Sequence, residues 1–255
     1  MKPSGGWLWR ASVANLFFLY GPIAALILFS FNESRLSATW QGGSLQWYRA
    51  LWADQALQAA AANSLWVATV STLLALLLGV SLAVGLEGLP GKRQRQIEQA
   101  LLLPLVIPEV IMGVSLLLFF VLVRMPLSLT TVMAGHALFN VPVVMVIVRA
   151  RLRKLDPRLL EAAADLGASY GDALRYVTLP LLRPAILGAG LMAFTISLDD
   201  FIVTFFTAGP GATTLPLKVY SMIKSGLSLE INALSALFVV ASMGLIGLSL
   251  LLQRR

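Results

Sequence analysis

Three carboxylates sit where a chain this apolar has little reason to keep them. Glu109 follows Pro108 inside a long hydrophobic run, and Asp199 and Asp200 stand side by side inside another. An ionised carboxylate at the centre of a membrane helix costs about 2.5–3.5 kcal/mol on insertion, so each needs a compensating role. Two roles are open: pairing with a cation or backbone group of a neighbouring helix, or lining a route for a cation. Consecutive helical residues point about 100° apart, so Asp199 and Asp200 share one narrow pathway equally only where the helix is unwound. The pathway assignment goes to Asp199, because Ser197 and Asp199 flank apolar Leu198, and Asp200 is expected to face a neighbouring helix or the external mouth.

Other chemistries lack their parts. Gly167-Ala-Ser169-Tyr-Gly171 spells Gly-x-Ser-x-Gly, but a nucleophile elbow needs a strand-to-helix turn and a His–acid pair within reach. No strand precedes Gly167, and the single histidine, His136, lies in an apolar run, where it reads as a packing or helix–helix hydrogen-bonding residue. Chance explains the match, and no catalytic residue is expected. The chain has neither cysteine nor His-Glu-x-x-His, so no metal site is expected either. It also lacks Gly-x-x-x-x-Gly-Lys-Ser/Thr, so any ATP that drives it must sit on another chain.

The elements that must position these groups are membrane spans. Of the 255 residues 58% are hydrophobic and only 12% charged, against about a quarter charged in soluble domains. The mean hydropathy is +0.83. Apolar runs place six spans at about 11–31, 60–86, 101–123, 132–148, 185–206 and 233–252, each near the twenty residues that cross roughly 30 Å. The first run is too long for the core of a signal peptide, and no Ala-x-Ala-like site follows it. Residues 32–59 form an external loop with an interfacial amphipathic stretch around Trp47, Tyr48 and Trp52; its Asn32-Glu-Ser34 sequon is of a kind common by chance. No linker or internal repeat interrupts the series, so residues 1–255 read as a single domain.

Lys and Arg fix the orientation. Of nineteen, fourteen fall at the termini, in the hairpin with Lys92, Arg93 and Arg95, and in the polar stretch 149–184. The positive-inside rule puts these in the cytoplasm, N-in and C-in. The excess of basic charge is thus a topology signal rather than a nucleic-acid footprint. At about 1.5 Å per residue, Asp199 lies roughly 21 Å into its span from the cytoplasmic end and Glu109 roughly 12 Å into its own.

The stretch 149–184 is the long polar interval of the second half. Asp156-Pro157 reads as a cap followed by Pro at the first helical position. Gly167 supplies the left-handed stop, and Ser169 with Asp172 a second start of the capping-box kind. The result is a helix–Gly–helix elbow between spans four and five.

Glu161-Ala162-Ala163, then Gly167, then Val177-x-Leu179-Pro180 resembles the EAA loop of bacterial ABC-importer permeases, with Val177 replacing the more usual Ile. Ser197-Leu-Asp-Asp-Phe201, Gly209-Pro-Gly211 through Leu215-Pro216, Leu229-Glu-Ile-Asn-Ala-Leu234 and Leu103-Pro104 through Glu109 resemble the spermidine/putrescine branch of that family. The resemblance implies an all-α integral membrane protein of the type I ABC permease fold, with cytoplasmic coupling helices between spans four and five. It implies that Glu161, Ala162, Ala163, Gly167, Leu179 and Pro180 form a surface docking on an ATPase. It also implies a second permease subunit, two ATPase subunits that hold the ATP and Mg, and a periplasmic substrate-binding protein. The expected setting is the bacterial inner membrane, with Glu109, Asp199 and Asp200 along a polyamine route and no cofactor on this chain. The alternatives are an importer for a metal ion, oxyanion or sugar, and a proton-coupled secondary transporter.

Overall fold

In the computed structural model residues 5–34, 39–226, 230–240 and 243 are described. Helices are their regular structure, beside one isolated bridge between Asn32 and Gly43. The chain divides into two compact units, residues 1–58 with 218–255, and residues 59–217.

In the first unit, α1 (Gly5–Phe29) is long and apolar, and none of its hydrophobic window is buried within the chain. Trp7, Trp9, Phe17 and Phe18 all stand exposed, as suits a helix whose solvent is lipid. The following loop is tied around Asn32, which is fully buried. Its Nδ2 donates to the Thr39 carbonyl at 2.8 Å and its Oδ1 accepts from the Gln41 N–H at 3.0 Å. An amide buried and held in this way is not presented to solvent. Amphipathic α2 (Gln46–Ala53) buries Leu51 and leaves Trp52 exposed.

Asp54 then starts α3 (Gln55–Glu87), its Oδ1 accepting from the N–H groups of Ala56 and Leu57 at 2.8 and 3.1 Å. Burial pushes this carboxyl up, but the Leu57 N–H and the Lys218 ammonium, 3.2 Å away, hold it below the usual aspartate value.

The second unit follows the predicted order with two interruptions. After α3 come α4 (Gly91–Leu101), α5 (Leu103–Val106), α6 (Glu109–Leu122) and α7 (Leu129–Leu152). The elbow consists of α8 (Arg158–Asp165), α9 (Tyr170–Ala173) and a π turn (Leu174–Thr178) leading into α10 (Leu179–Asp199). Short α11 (Ile202–Thr207) follows in this unit, and α12 (Leu215–Lys224) starts at its end and continues in residues counted with the first.

Among the described residues, four helices are long and apolar enough to cross a membrane: Gly6–Phe29, Gln55–Glu87, Leu129–Leu152 and Tyr170–Asp199. They enclose the first, second and fourth predicted spans to within two residues and most of the fifth. The third span, expected as one helix over 101–123, is instead cut at Ile107-Pro108, where the backbone is extended. Pro108 has no N–H to return to the Pro104 carbonyl, so the α ladder cannot run through. The fifth, expected over 185–206, begins at Leu179 and breaks at Asp200 and Phe201. The sixth, 233–252, overlaps the helix Glu230–Val240, and most of its remainder lies outside the described residues.

The core of this unit sets small residues of α3 and α10 against larger ones of α7. Ala75 and Ala83 of α3, Val144, Met145 and Val148 of α7, and Ala189 and Ala193 of α10 pack together, fully buried. Association in lipid relies on such close packing, since burial there gains no hydrophobic free energy. Gly79 is the tightest point of α3, for a Cβ there would lie 2.8 Å from Val144 Cβ and 2.9 Å from the Val141 carbonyl oxygen. Gly79→Val should therefore part α3 from α7 and cost about 1–3 kcal/mol. Gly85→Ala, which meets nothing within 4 Å, should be neutral. Thermal melts of the two variants purified in detergent decide this; equal midpoints would show that the contact is slack.

Candidate functional site

Both interruptions open onto one cavity of about 630 Å³. Pro104, Ile107 and Glu109 border it from the first break, and Asp199, Asp200 and Phe201 from the second. The three carboxylates singled out in the sequence thus share one chamber, and no Lys, Arg or His is among its described lining residues. Glu109 opens α6, where the helix dipole favours negative charge. Phe139 and Phe201 add aromatic faces, which attract cations. A cavity with acids, aromatics and no base among its described lining suits an organic cation and disfavours an anion.

The two adjacent aspartates are treated differently by the chain. Asp199 ends α10 and is exposed. Asp200 lies in the extended link, with its side chain 8% exposed, and turns onto α11. Its Oδ2 accepts from the Thr204 N–H at 2.9 Å and from the Thr204 hydroxyl at 3.0 Å, and its Oδ1 lies 3.4 Å from the Val203 nitrogen. It therefore takes up N–H groups that the broken helix leaves free. On its other side His136 Nε2 of α7 stands 3.1 Å away. The helix is unwound at the pair, the one condition under which both acids border the same space.

At the elbow, capping residues act where their spacing placed them. The Asp156 carboxylate accepts the Arg158 N–H at 3.0 Å, so α8 starts one residue later than the reading with Pro157 as its first residue. Gly167 takes φ +82°, and Ser169 and Asp172 close a capping box. The Ser169 hydroxyl is spent on Asp172 at 2.6 Å, consistent with a fortuitous Gly-x-Ser-x-Gly. Glu161, Ala162 and Gly167 are exposed, Ala163 is buried, and Leu179 and Pro180 are half-buried where α10 begins. Leu166 and Tyr170 stand 88% and 74% exposed beside them, an outward apolar patch. Behind the elbow a further cavity of about 320 Å³ lies between Val84 and Glu87 of α3 and Leu160, Tyr170, Val177 and Leu181.

A cluster that the sequence reading counted only as topological charge holds this end together. Arg149, 3% exposed, bonds Glu87 of α3 through Nε at 2.8 Å and Glu98 of α4 through Nη1 at 2.5 Å. Arg153 lies 3.5 and 3.9 Å from the same two acids. Arg149 thus clamps the basic hairpin to the end of α7, one residue beyond the predicted span. Its placement at the end of an apolar run was the available signal; its partners, far away in the chain, had none.

Residues 75–255 match the family model described as "Binding-protein-dependent transport system inner membrane component". The "Spermidine/putrescine transport system permease protein PotC" of Escherichia coli (strain K12) is 39% identical over 237 residues, 93% of this chain and 90% of that protein. The "Putrescine transport system permease protein PotI" of the same organism is 39% identical over 249 residues, 94% of this chain and 88% of that protein. Among solved structures, a chain of a bacterial ABC transporter that imports the acidic polysaccharide alginate superposes with a TM-score of 0.76 at 17% identity. That match covers 98% of this chain and 94% of the other, and it speaks to fold alone.

Removing one member of a buried ion pair costs about 3–5 kcal/mol when the other charge is stranded. Glu87 and Glu98 are 37% and 28% exposed and keep some water, so Arg149→Met should cost less, about 1–3 kcal/mol. Glu98→Gln should cost less still, because Glu87 continues to hold the guanidinium. Melting midpoints in detergent test the order, and a Glu98→Gln loss equal to that of Arg149→Met would contradict the two-pronged clamp.

Proposed function

Because the chain belongs to the family of binding-protein-dependent transport system inner membrane components, we infer that it is the translocation subunit of an ATP-driven importer whose cargo is a polyamine. The observation that carries the cargo is the cavity in which Glu109, Asp199 and Asp200 meet with no basic residue among the described lining. Putrescine and spermidine are flexible polycations, and three carboxylates with two aromatic faces suit them. The 39% identity to permeases named for spermidine and putrescine supports the same cargo.

The chain makes and breaks no bond itself and holds no cofactor; ATP and Mg belong to two partner ATPase subunits. A periplasmic binding protein delivers the polyamine, and a second permease subunit completes the pathway. The whole chain acts as one permease domain of six spans, with both termini and the elbow in the cytoplasm. Glu161, Ala162, Ala163, Gly167, Leu179 and Pro180 meet the ATPase there. Closure of the ATPases moves the elbow, and α10, continuous with it, carries that movement toward the cavity.

Uptake of labelled spermidine and putrescine by the assembled transporter tests the cargo. It should require hydrolysable ATP and persist with a protonophore when ATP is held constant. Collapse of uptake by the protonophore under that condition would establish a proton-coupled carrier instead.

The elbow gives a separate prediction. A β-branched residue at Gly167 would be forced to positive φ at a cost of about 1–2 kcal/mol. Nothing lies within 4 Å of a Cβ there, so the strain is confined to the backbone and re-aims α8 against α9. Gly167→Val and Glu161→Lys should insert normally yet lose stimulated ATPase activity or ATPase association in pull-downs. Normal transport with a full complement of ATPase in either variant would misplace the coupling surface.

A further inference from the structure

The single histidine of the chain has no task in the transport reading, yet it is 1% exposed and has both ring nitrogens engaged. His136 Nδ1 lies 2.7 Å from Ser197 Oγ of α10. Its Nε2 lies 3.1 Å from Asp200 Oδ2 and 3.0 Å from Thr204 Oγ1 of α11. Ser197 Oγ in turn meets Ser71 Oγ of α3 at 3.0 Å. One imidazole on α7 therefore reaches both halves of the broken helix and, through Ser197, a third element.

The hydrogens can be placed by elimination. An ionised carboxylate only accepts, so the Nε2 facing Asp200 carries a proton and donates it. Hydroxyls rotate, so with a neutral ring Ser197 donates to Nδ1, and Ser71 is free to donate to Ser197. With the Nε2–H, the Thr204 N–H and the Thr204 hydroxyl all on Oδ2, Asp200 has only Oδ1, 3.4 Å from the Val203 nitrogen, left to offer a passing cation. Asp199, one residue earlier, borders the same cavity, and no described side chain pairs with it.

We propose that His136 is a positioning residue of the translocation cavity: it binds Asp200 into the helix break and thereby leaves Asp199 as the carboxylate presented to the cargo. The assignment rests on the transport reading for the identity of the cargo, but the division of labour between the two aspartates is a matter of accessibility. Without the imidazole, Asp200 keeps only its Thr204 and Val203 donors and turns toward the cavity, where it competes with Asp199 and holds the cation too tightly or in the wrong place.

Two measurements on the assembled transporter in proteoliposomes test this. The first is spermidine uptake per assembled complex in His136→Leu, His136→Gln and the double variant His136→Leu/Asp200→Asn. Loss of one charged hydrogen bond should move KM by about tenfold in His136→Leu. The Gln variant keeps an N–H toward Asp200 and should stay near wild type. The double variant leaves no carboxylate at position 200 to compete with Asp199 and should recover most of the shift. A wild-type KM in His136→Leu overturns the proposal, as does an equal shift in His136→Leu and the double variant. A residue that only supported folding would lower abundance and leave KM per complex unchanged, which also overturns it.

The second measurement is carboxylate labelling with a hydrophobic carbodiimide, mapped by mass spectrometry. The wild type should label at Asp199 and not Asp200, and His136→Leu at both. Labelling of Asp200 in the wild type, or its absence in His136→Leu, overturns the proposal. Should the wild type take up no polyamine at all, the transport reading falls, while the labelling pattern still decides the role of His136.

Discussion

Inside a bilayer a backbone N–H or carbonyl without a partner costs several kcal/mol, and the interruptions of these helices are arranged around that cost. At Asp200 the helix lets go of its ladder, and the aspartate side chain takes the Thr204 N–H in place of a carbonyl. At Pro108 the chain breaks at a residue that has no N–H to lose, and the Pro108 carbonyl picks up the ladder again with Met112 at 3.1 Å. The two breaks face one chamber, so the irregular backbone lies where a cavity accommodates it. The same carboxylate that repairs the second break is one of the three acids in the chamber. Its side chain must then be held, and the buried imidazole of His136 is what holds it.

How much of this was legible depended on the range over which the residues act. The elbow was readable almost in full, because Asp156, Gly167, Ser169 and Asp172 act on backbone two or three residues away. The long apolar helices were readable from composition, with ends displaced by a few residues where flanking polar turns continued the helix. The break at Asp200 and Phe201 was not readable as a break. No Gly or Pro marks it, and beyond the local cap of Asp200 on Thr204 the interactions that hold it come from α7, some sixty residues earlier. The break at Pro108 was signalled by two prolines four apart, and the apolar run masked it. Arg149 illustrates the same limit: it registered as one cytoplasmic charge, whereas its partners Glu87 and Glu98 are brought to it only by the packing of α3 and α4. Likewise the three acids stood out as costly residues, but that Glu109 and Asp199 border one cavity is a property of the fold.

The elbow and the cavity are joined by a single element. From Tyr170 to Asp199 the helix runs thirty residues, so at 1.5 Å per residue it spans roughly 45 Å. Its elbow end carries the exposed apolar patch, its middle packs along α7 through Ala189 and Ala193, and its far end is the residue before the unwound link. Arg149 restrains α7 at one end of that contact and His136 restrains α10 and α11 near the other. A displacement of the elbow therefore moves α10 against α7, a helix held at one end by an ion-pair cluster and near the other by a hydrogen-bond network.

The π turn at Leu174–Thr178 sets the angular bookkeeping of this connection. A π turn contains one residue more than an α turn, so it holds a surplus of about 100° of winding within an otherwise regular helix. Deleting a residue anywhere between Leu179 and Leu198 would swing Asp199 around the helix axis relative to the elbow by that amount. Deleting one within the π turn would convert it to ordinary α-helix and leave the phase on both sides as it was. The turn is thus the place along this helix where chain length can change while the acid at one end and the exposed face of the elbow at the other keep their mutual aim.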